Sequence, residues 1–200
     1  VGNFRQPFGL EEVTTSRNLL FMERSLGTDP FVVGRRMGIE VTGWKPDYRW
    51  SVSMFGGDVE DFAKEGNEQV SFAARLNWTP IQTDESTFLI GASGTLQKPT
   101  FRGPLNEDGD GYAGSSVKFN SRPETNVSDS KFIYAKYSDV DKFTTFGAEV
   151  AYVNKRFMFQ SEYMVANVTR YDDPGLDHMA DGFTADIAHS GGYGLFSYFL

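Results

Sequence analysis

The sequence predicts an all-β protein, a transmembrane antiparallel β-barrel. Three observations carry that reading. Apolar and polar residues alternate with period two along segment after segment. The connections between those segments alternate between short and long, and the apolar faces often begin or end in Trp, Tyr or Phe. A soluble sandwich also alternates, with its apolar face inward. Tight turns at one end, long loops at the other, strands of about ten residues and aromatic girdles are the pattern of a membrane barrel.

Composition agrees. With 40% hydrophobic residues the chain can fold, and 200 residues suffice for a single β domain, 1–200. Phe, Tyr and Trp are plentiful and Gly reaches 21, a mixture that favours strands and turns. No apolar run approaches the ~20 residues of a membrane-spanning helix. The absence of Cys excludes disulfides, thiolate metal sites and a Cys nucleophile. A net charge of −8 argues against a nucleic-acid partner, which calls for a basic face. The chain begins at Val1 and stops at "GGYGLFSYFL", both in mid-pattern, which reads as the internal portion of a longer protein with terminal strands missing.

Ten strands are expected. The first, 1–7, is stopped by Pro7 and Gly9. Strand 35–44 sets Met37, Ile39 and Val41 against Arg36, Gly38, Glu40 and Thr42. After "KPD" at 45–47, strand 48–56 sets Trp50, Val52 and Met54 against Arg49, Ser51 and Ser53. Strand 69–79 sets Val70, Phe72, Ala74, Leu76 and Trp78 against Ser71, Ala73, Arg75 and Asn77. "PIQTDES" at 80–86 turns the chain into strand 87–97. In 116–122, Val117 and Phe119 share one face and Lys118, Asn120 and Arg122 the other, a short basic column if the strand stands in a barrel wall. Strand 131–138 follows from parity, since it keeps Asn154-Lys155 on the short-turn side. Strand 144–153 sets Phe146, Ala148, Val150 and Tyr152 against Thr145, Gly147, Glu149 and Ala151. Strand 156–171 sets Phe157, Phe159, Tyr163 and Val165 against Arg156, Gln160 and Glu162, and 184–200 is the last. The long connections fall at roughly 8–34, 57–68, 98–115 and 172–184.

Other chemistry is weakly supported. "NEDGDG", Asn106 to Gly111, fits the first half of a calcium loop, but the twelfth position is Val117 where a bidentate Glu is required, and no helices flank it. Weak divalent binding at that loop stays open. His178 and His189 are the two histidines, and neither "GASG" nor "HSGG" is a nucleophile elbow, so no enzyme is expected.

Four blocks carry a family resemblance: "GNFRQPFGLEEVTTSRNLLFMERSL", "SRPE", "FGAEVAYVNKRFMFQSEYM" and "GGYGLFSYFL". In this order they resemble the phosphate-selective porin O/P family, the first block being the most specific. The resemblance implies a homotrimeric barrel of sixteen strands in the bacterial outer membrane, in contact with the lipid bilayer and lipopolysaccharide, of which this chain supplies the middle. It implies a passive channel for small anions of the phosphate class, with no cofactor and no bound metal. It also implies that 8–34 is a loop folded inward to narrow the pore.

The residues of that loop agree. Ser16 can cap a short helix through "RNLLFMERSL" that Gly27 stops, with Leu19, Leu20 and Met22 packed on the wall and Arg17, Glu23 and Arg24 on the aqueous side. The resemblance implies basic residues lining the pore: guanidinium groups match phosphate oxygens, often two at a time, and a lysine ammonium adds a point charge, so Arg5, Arg17, Arg24, Arg35, Arg36, Lys118 and Arg122 are the anion-binding candidates. Glu11, Glu12 and Glu23 in the same loop oppose strong anion selectivity. The alternatives are a general diffusion porin with a mixed-charge lumen and, from another class, a soluble β-sandwich that binds calcium.

Overall fold

A computed structural model of the chain describes residues 1–56, 70–99, 116–121, 131–138, 140–170 and 187–200. Its strands are β1 (Gly2–Arg5), β2 (Arg35–Trp44), β3 (Tyr48–Phe55), β4 (Ser71–Gln82), β5 (Ser86–Gln97), β6 (Ser116–Ser121), β7 (Ile133–Ser138), β8 (Val140–Asn154), β9 (Phe157–Arg170) and β10 (Ile187–Tyr198). The one α-helix among the described residues, α1, runs over Leu10–Val13. Eight strands form a single sheet in the order β1-β2-β3-β4-β5-β8-β9-β10, every neighbouring pair antiparallel, with β1 and β10 at its open edges.

Period two sorts the sheet into two unlike faces. Met37, Ile39, Val41, Trp50, Val52, Met54, Phe72, Leu76, Trp78, Phe146, Tyr163 and Phe196 all stand exposed on one face. The opposite face carries Ser51, Ser53, Ser71, Asn77, Ser93, Thr95, Thr145, Glu149 and Glu162, all buried. A water-soluble sandwich arranges its faces the other way round, apolar inside and polar outside. Bare apolar side chains over a polar, covered side suit a lipid solvent. β8 spans 15 residues and β9 14, which at about 3.3 Å per residue is enough to cross a bilayer core at a tilt.

The turns at one end are short. Lys45 N–H donates to Tyr48 O at 2.7 Å, and Thr83 N–H to Ser86 O at 2.8 Å. Lys155 takes a positive φ of 51° between β8 and β9, as a two-residue turn requires. β4 continues to Gln82, past the expected stop at Pro80, because the register shifts between Trp78 and Ile81. A proline has no N–H for a ladder and is accommodated at such a bulge. A second shift, between Val140 and Lys142, carries β8 four residues upstream of its expected start at 144.

Two strands are not where the wall reading put them. β5 pairs directly with β8, from Ser86↔Asn154 to Gln97↔Phe143, leaving no place between them. β6 and β7 pair with each other in a separate two-stranded sheet. Parity does not detect this, since removing two strands from the wall preserves it as well as adding two. The ribbon's apolar side packs against the polar face of the large sheet: Phe119 lies edge-on to Phe143, ring centroids 5.3 Å apart, and to Phe31 at 6.0 Å. Tyr137 Oη is 2.8 Å from His189 Nε2 on β10. Lys118 and Asn120 therefore lie on a separate ribbon packed over the sheet, not on a column through it. Arg122, the Asn106–Gly111 loop and His178 fall outside the described residues.

Candidate functional site

The connection between β1 and β2 crosses the polar face of the sheet. It leaves β1 through Gln6, whose Oε1 accepts from Ser53 Oγ on β3 at 2.7 Å. Phe8, fully buried, enters the apolar cluster of Phe31, Phe119, Phe143 and Met164. Gly9 then takes a φ of 72°, a left-handed turn that a side chain would strain, and its N–H donates to Ser93 Oγ on β5 at 3.3 Å.

α1 begins there against β9. Leu10 N–H donates to Glu162 Oε2 and Glu11 N–H to Glu162 Oε1, each at 2.7 Å. The carboxylate thus meets two of the N–H groups that a helix start leaves unpaired. Tyr193 Oη on β10 donates to the same carboxylate at 2.6 Å and is itself bonded by Gln160 Nε2. Beyond α1 the segment returns to β10: a Cβ on Gly27 would meet the Gly192 carbonyl oxygen at 2.5 Å, so only a glycine lies this close.

The expected helix over "RNLLFMERSL" is absent. Ser16–Asn18 forms a single 3-10 turn, with no side-chain cap from Thr15; Leu19 is extended, and the chain then bends through 20–23 and turns again at 26–28. Tertiary bonds outweigh the local helix preference. Arg24 donates to the carbonyls of Glu11 and Glu12 at 3.2 and 3.3 Å, and Ser25 N–H donates to Glu11 Oε2 at 2.9 Å. Of the expected apolar residues, Leu19 is half-buried, whereas Leu20 and Met22 are exposed, Met22 fully, and so is Phe21. The aromatic residues at the two ends, Phe8 and Phe31, are buried.

The basic candidates divide into two sets. Arg5 and Arg24 converge on buried Glu12, with Nε–Oε distances of 3.5 and 3.1 Å. Both also donate to backbone: Arg5 Nη1 to the carbonyls of Glu12 and Thr14 at 3.0 and 3.2 Å, Arg24 Nη2 to the same two at 3.3 and 3.4 Å. Burial raises the Glu12 carboxyl above its ordinary value, outweighing the pull of Arg24 and Arg5 in the opposite direction. Arg17 is exposed, and Arg35, also exposed, donates to Asn3 O at 3.4 Å. Arg36 Nη1 donates to Arg35 O at 2.8 Å. Lys118 is exposed on the ribbon, directly opposite Lys136.

The sequence puts Glu162 and Glu149 on the polar face but does not show what they bind. In the structure Glu149 pairs with Arg75 at 2.6 Å and is bonded by Asn77. No spacing signal links Arg75 to Glu149 or Glu162 to Leu10, because the partners are 74 and 152 residues apart in the chain.

Comparison with known proteins gives two findings. The family described as phosphate-selective porin O and P matches residues 1–200, the whole chain. A protein of Caulobacter vibrioides, described as uncharacterized, is 26% identical over 168 residues, which is 78% of this chain and 31% of that protein. The chain thus spans about a third of the length of the relative it matches.

Proposed function

The chain belongs to the phosphate-selective porin O and P family, and on that premise we propose that the protein containing it is a passive channel of the bacterial outer membrane for small anions, phosphate among them. The observation that supports this is the two-faced sheet: an apolar face suited to lipid, and a polar face crossed by the segment between β1 and β2. In a closed barrel the polar face lines the lumen, and residues 8–34 become a constriction fixed to the wall at β5, β9 and β10. Arg17 and Arg36 offer guanidinium groups to a passing anion, Arg35 adds its charge from the end of β2, and Lys118 and Arg122 extend the basic path. Multiple modest sites let an anion enter and still leave. The protein assembles as a trimer, in contact with bilayer and lipopolysaccharide, and performs no catalysis.

A second reading, a general diffusion channel, is favoured by one specific observation. Arg5 and Arg24 share the Glu12 carboxylate, so part of the loop's positive charge is compensated. Single-channel recordings of the full-length protein in a planar bilayer decide between them. An anion-selective reversal potential under a KCl gradient, with current blocked by added phosphate, supports the anion channel. An unselective pore indifferent to phosphate supports general diffusion.

A further inference from the structure

We infer that Glu12 is a specificity-determining residue, a counter-charge whose protonation sets how strongly the loop attracts anions. The inference rests on the reading that residues 8–34 narrow the lumen. Its basis is geometric. Glu12 is 6% exposed and receives one guanidinium from each side, Arg5 from β1 and Arg24 from the returning half of the loop. The arginine side chains are less deeply covered, at 28% and 21% exposure. The two cations therefore meet solvent while the carboxylate that balances them does not. Asp29 and Arg35 are the other charged groups whose fields reach Glu12, and they oppose each other.

Two guanidinium groups and one carboxylate leave one net positive charge; a proton on Glu12 leaves two. The backbone carbonyls of Glu12 and Thr14 continue to hold both arginines when the carboxyl is neutral. The change is thus one of charge at fixed geometry. Added positive charge at a narrow aqueous passage raises local anion concentration. The raised carboxyl of Glu12 brings this change to milder acidity than an exposed glutamate would.

The test is the chloride-to-potassium permeability ratio of the full-length protein in a planar bilayer, read from reversal potential in KCl at a series of pH values. Chloride is the probe because phosphate itself titrates in this range. The wild-type ratio should rise as pH falls toward the carboxylate range. Glu12→Gln should show a ratio at least about twofold higher at neutral pH and a flatter profile. Glu12→Asp should stay near wild type, and Glu12→Gln combined with Arg24→Gln should return toward it.

Glu12→Gln channels of normal conductance with the wild-type ratio and profile would overturn the inference. If Glu12→Gln does not assemble, the wild-type profile decides, and a ratio flat from neutral pH into the carboxylate range overturns it. Deletion of 16–22 tests the underlying reading separately. Unchanged conductance on deletion removes the constriction itself, whereas a wider pore with an inert Glu12→Gln removes the role of Glu12 alone.

Discussion

Glu162 on β9 accepts the N–H groups of Leu10 and Glu11, one on each carboxylate oxygen at 2.7 Å, so a strand residue supplies the cap that α1 lacks in its own sequence. Glu162→Ala leaves those two N–H groups and the Tyr193 hydroxyl without their acceptor. The expected cost is about 2 kcal/mol or more, read as a lower unfolding temperature in detergent. Open-channel current noise should increase as the segment loosens. Tyr193→Phe removes one of the three bonds and should cost only about 1 kcal/mol.

The approach of Gly27 to Gly192 predicts an asymmetry between glycines. Gly27→Ala places a Cβ 2.5 Å from a backbone oxygen and forces the loop off β10. Gly194→Ala, where a Cβ meets nothing within 4 Å, should be silent. The first is expected to destabilise by about 1–3 kcal/mol. The pair is compared by resistance of the folded band to heating in SDS.

Phe119 is the central aromatic contact of the β6–β7 ribbon, touching Phe143 and His189 of the sheet and Phe31 of the β1–β2 connection. Phe119→Ala should release the ribbon at a local cost of about 3 kcal/mol and leave the eight-stranded sheet intact. Limited proteolysis checks this: faster cleavage between 98 and 139, unchanged protection of β8 and β9.

Arg75 and Glu149 face each other across β4 and β8 with the strand β5 between them, both largely buried. Arg75→Ala alone leaves the carboxylate uncompensated and should cost about 3–5 kcal/mol. Arg75→Ala with Glu149→Ala should recover much of that loss. Denaturant midpoints of the single and double variants measure the coupling.

The strands were legible because period two is a local signal that survives whatever the strand pairs with. Met37-Ile39-Val41 and Phe72-Ala74-Leu76 specify their faces without reference to any distant residue. What a local signal omits is which sheet a strand joins. Val117 and Phe119 alternate with Lys118 and Asn120 whether they face lipid or cover Phe143. Within the β1–β2 connection, the run from Arg17 to Leu26 has helix formers and a plausible capping serine. Its backbone is fixed instead by Arg24 and by the Glu11 carboxylate acting on Ser25. The basic side chains could be named from sequence, but which of them are compensated depended on Glu12 lying between Arg5 and Arg24. That is a property of the folded loop.

The continuous register of β5 with β8 makes the stretch between them an insertion, not a structural member. The pairing holds from the turn end to Gln97↔Phe143, so β5 and β8 share their ladder with no strand between them. A lineage or an engineer can therefore replace that stretch as a cassette, altering what the ribbon presents over the polar face while every wall strand keeps its partner. Among the described contacts, a replacement must still offer an aromatic residue to the pocket that Phe31, Phe143 and His189 form around Phe119, and a partner for His189 where Tyr137 now stands.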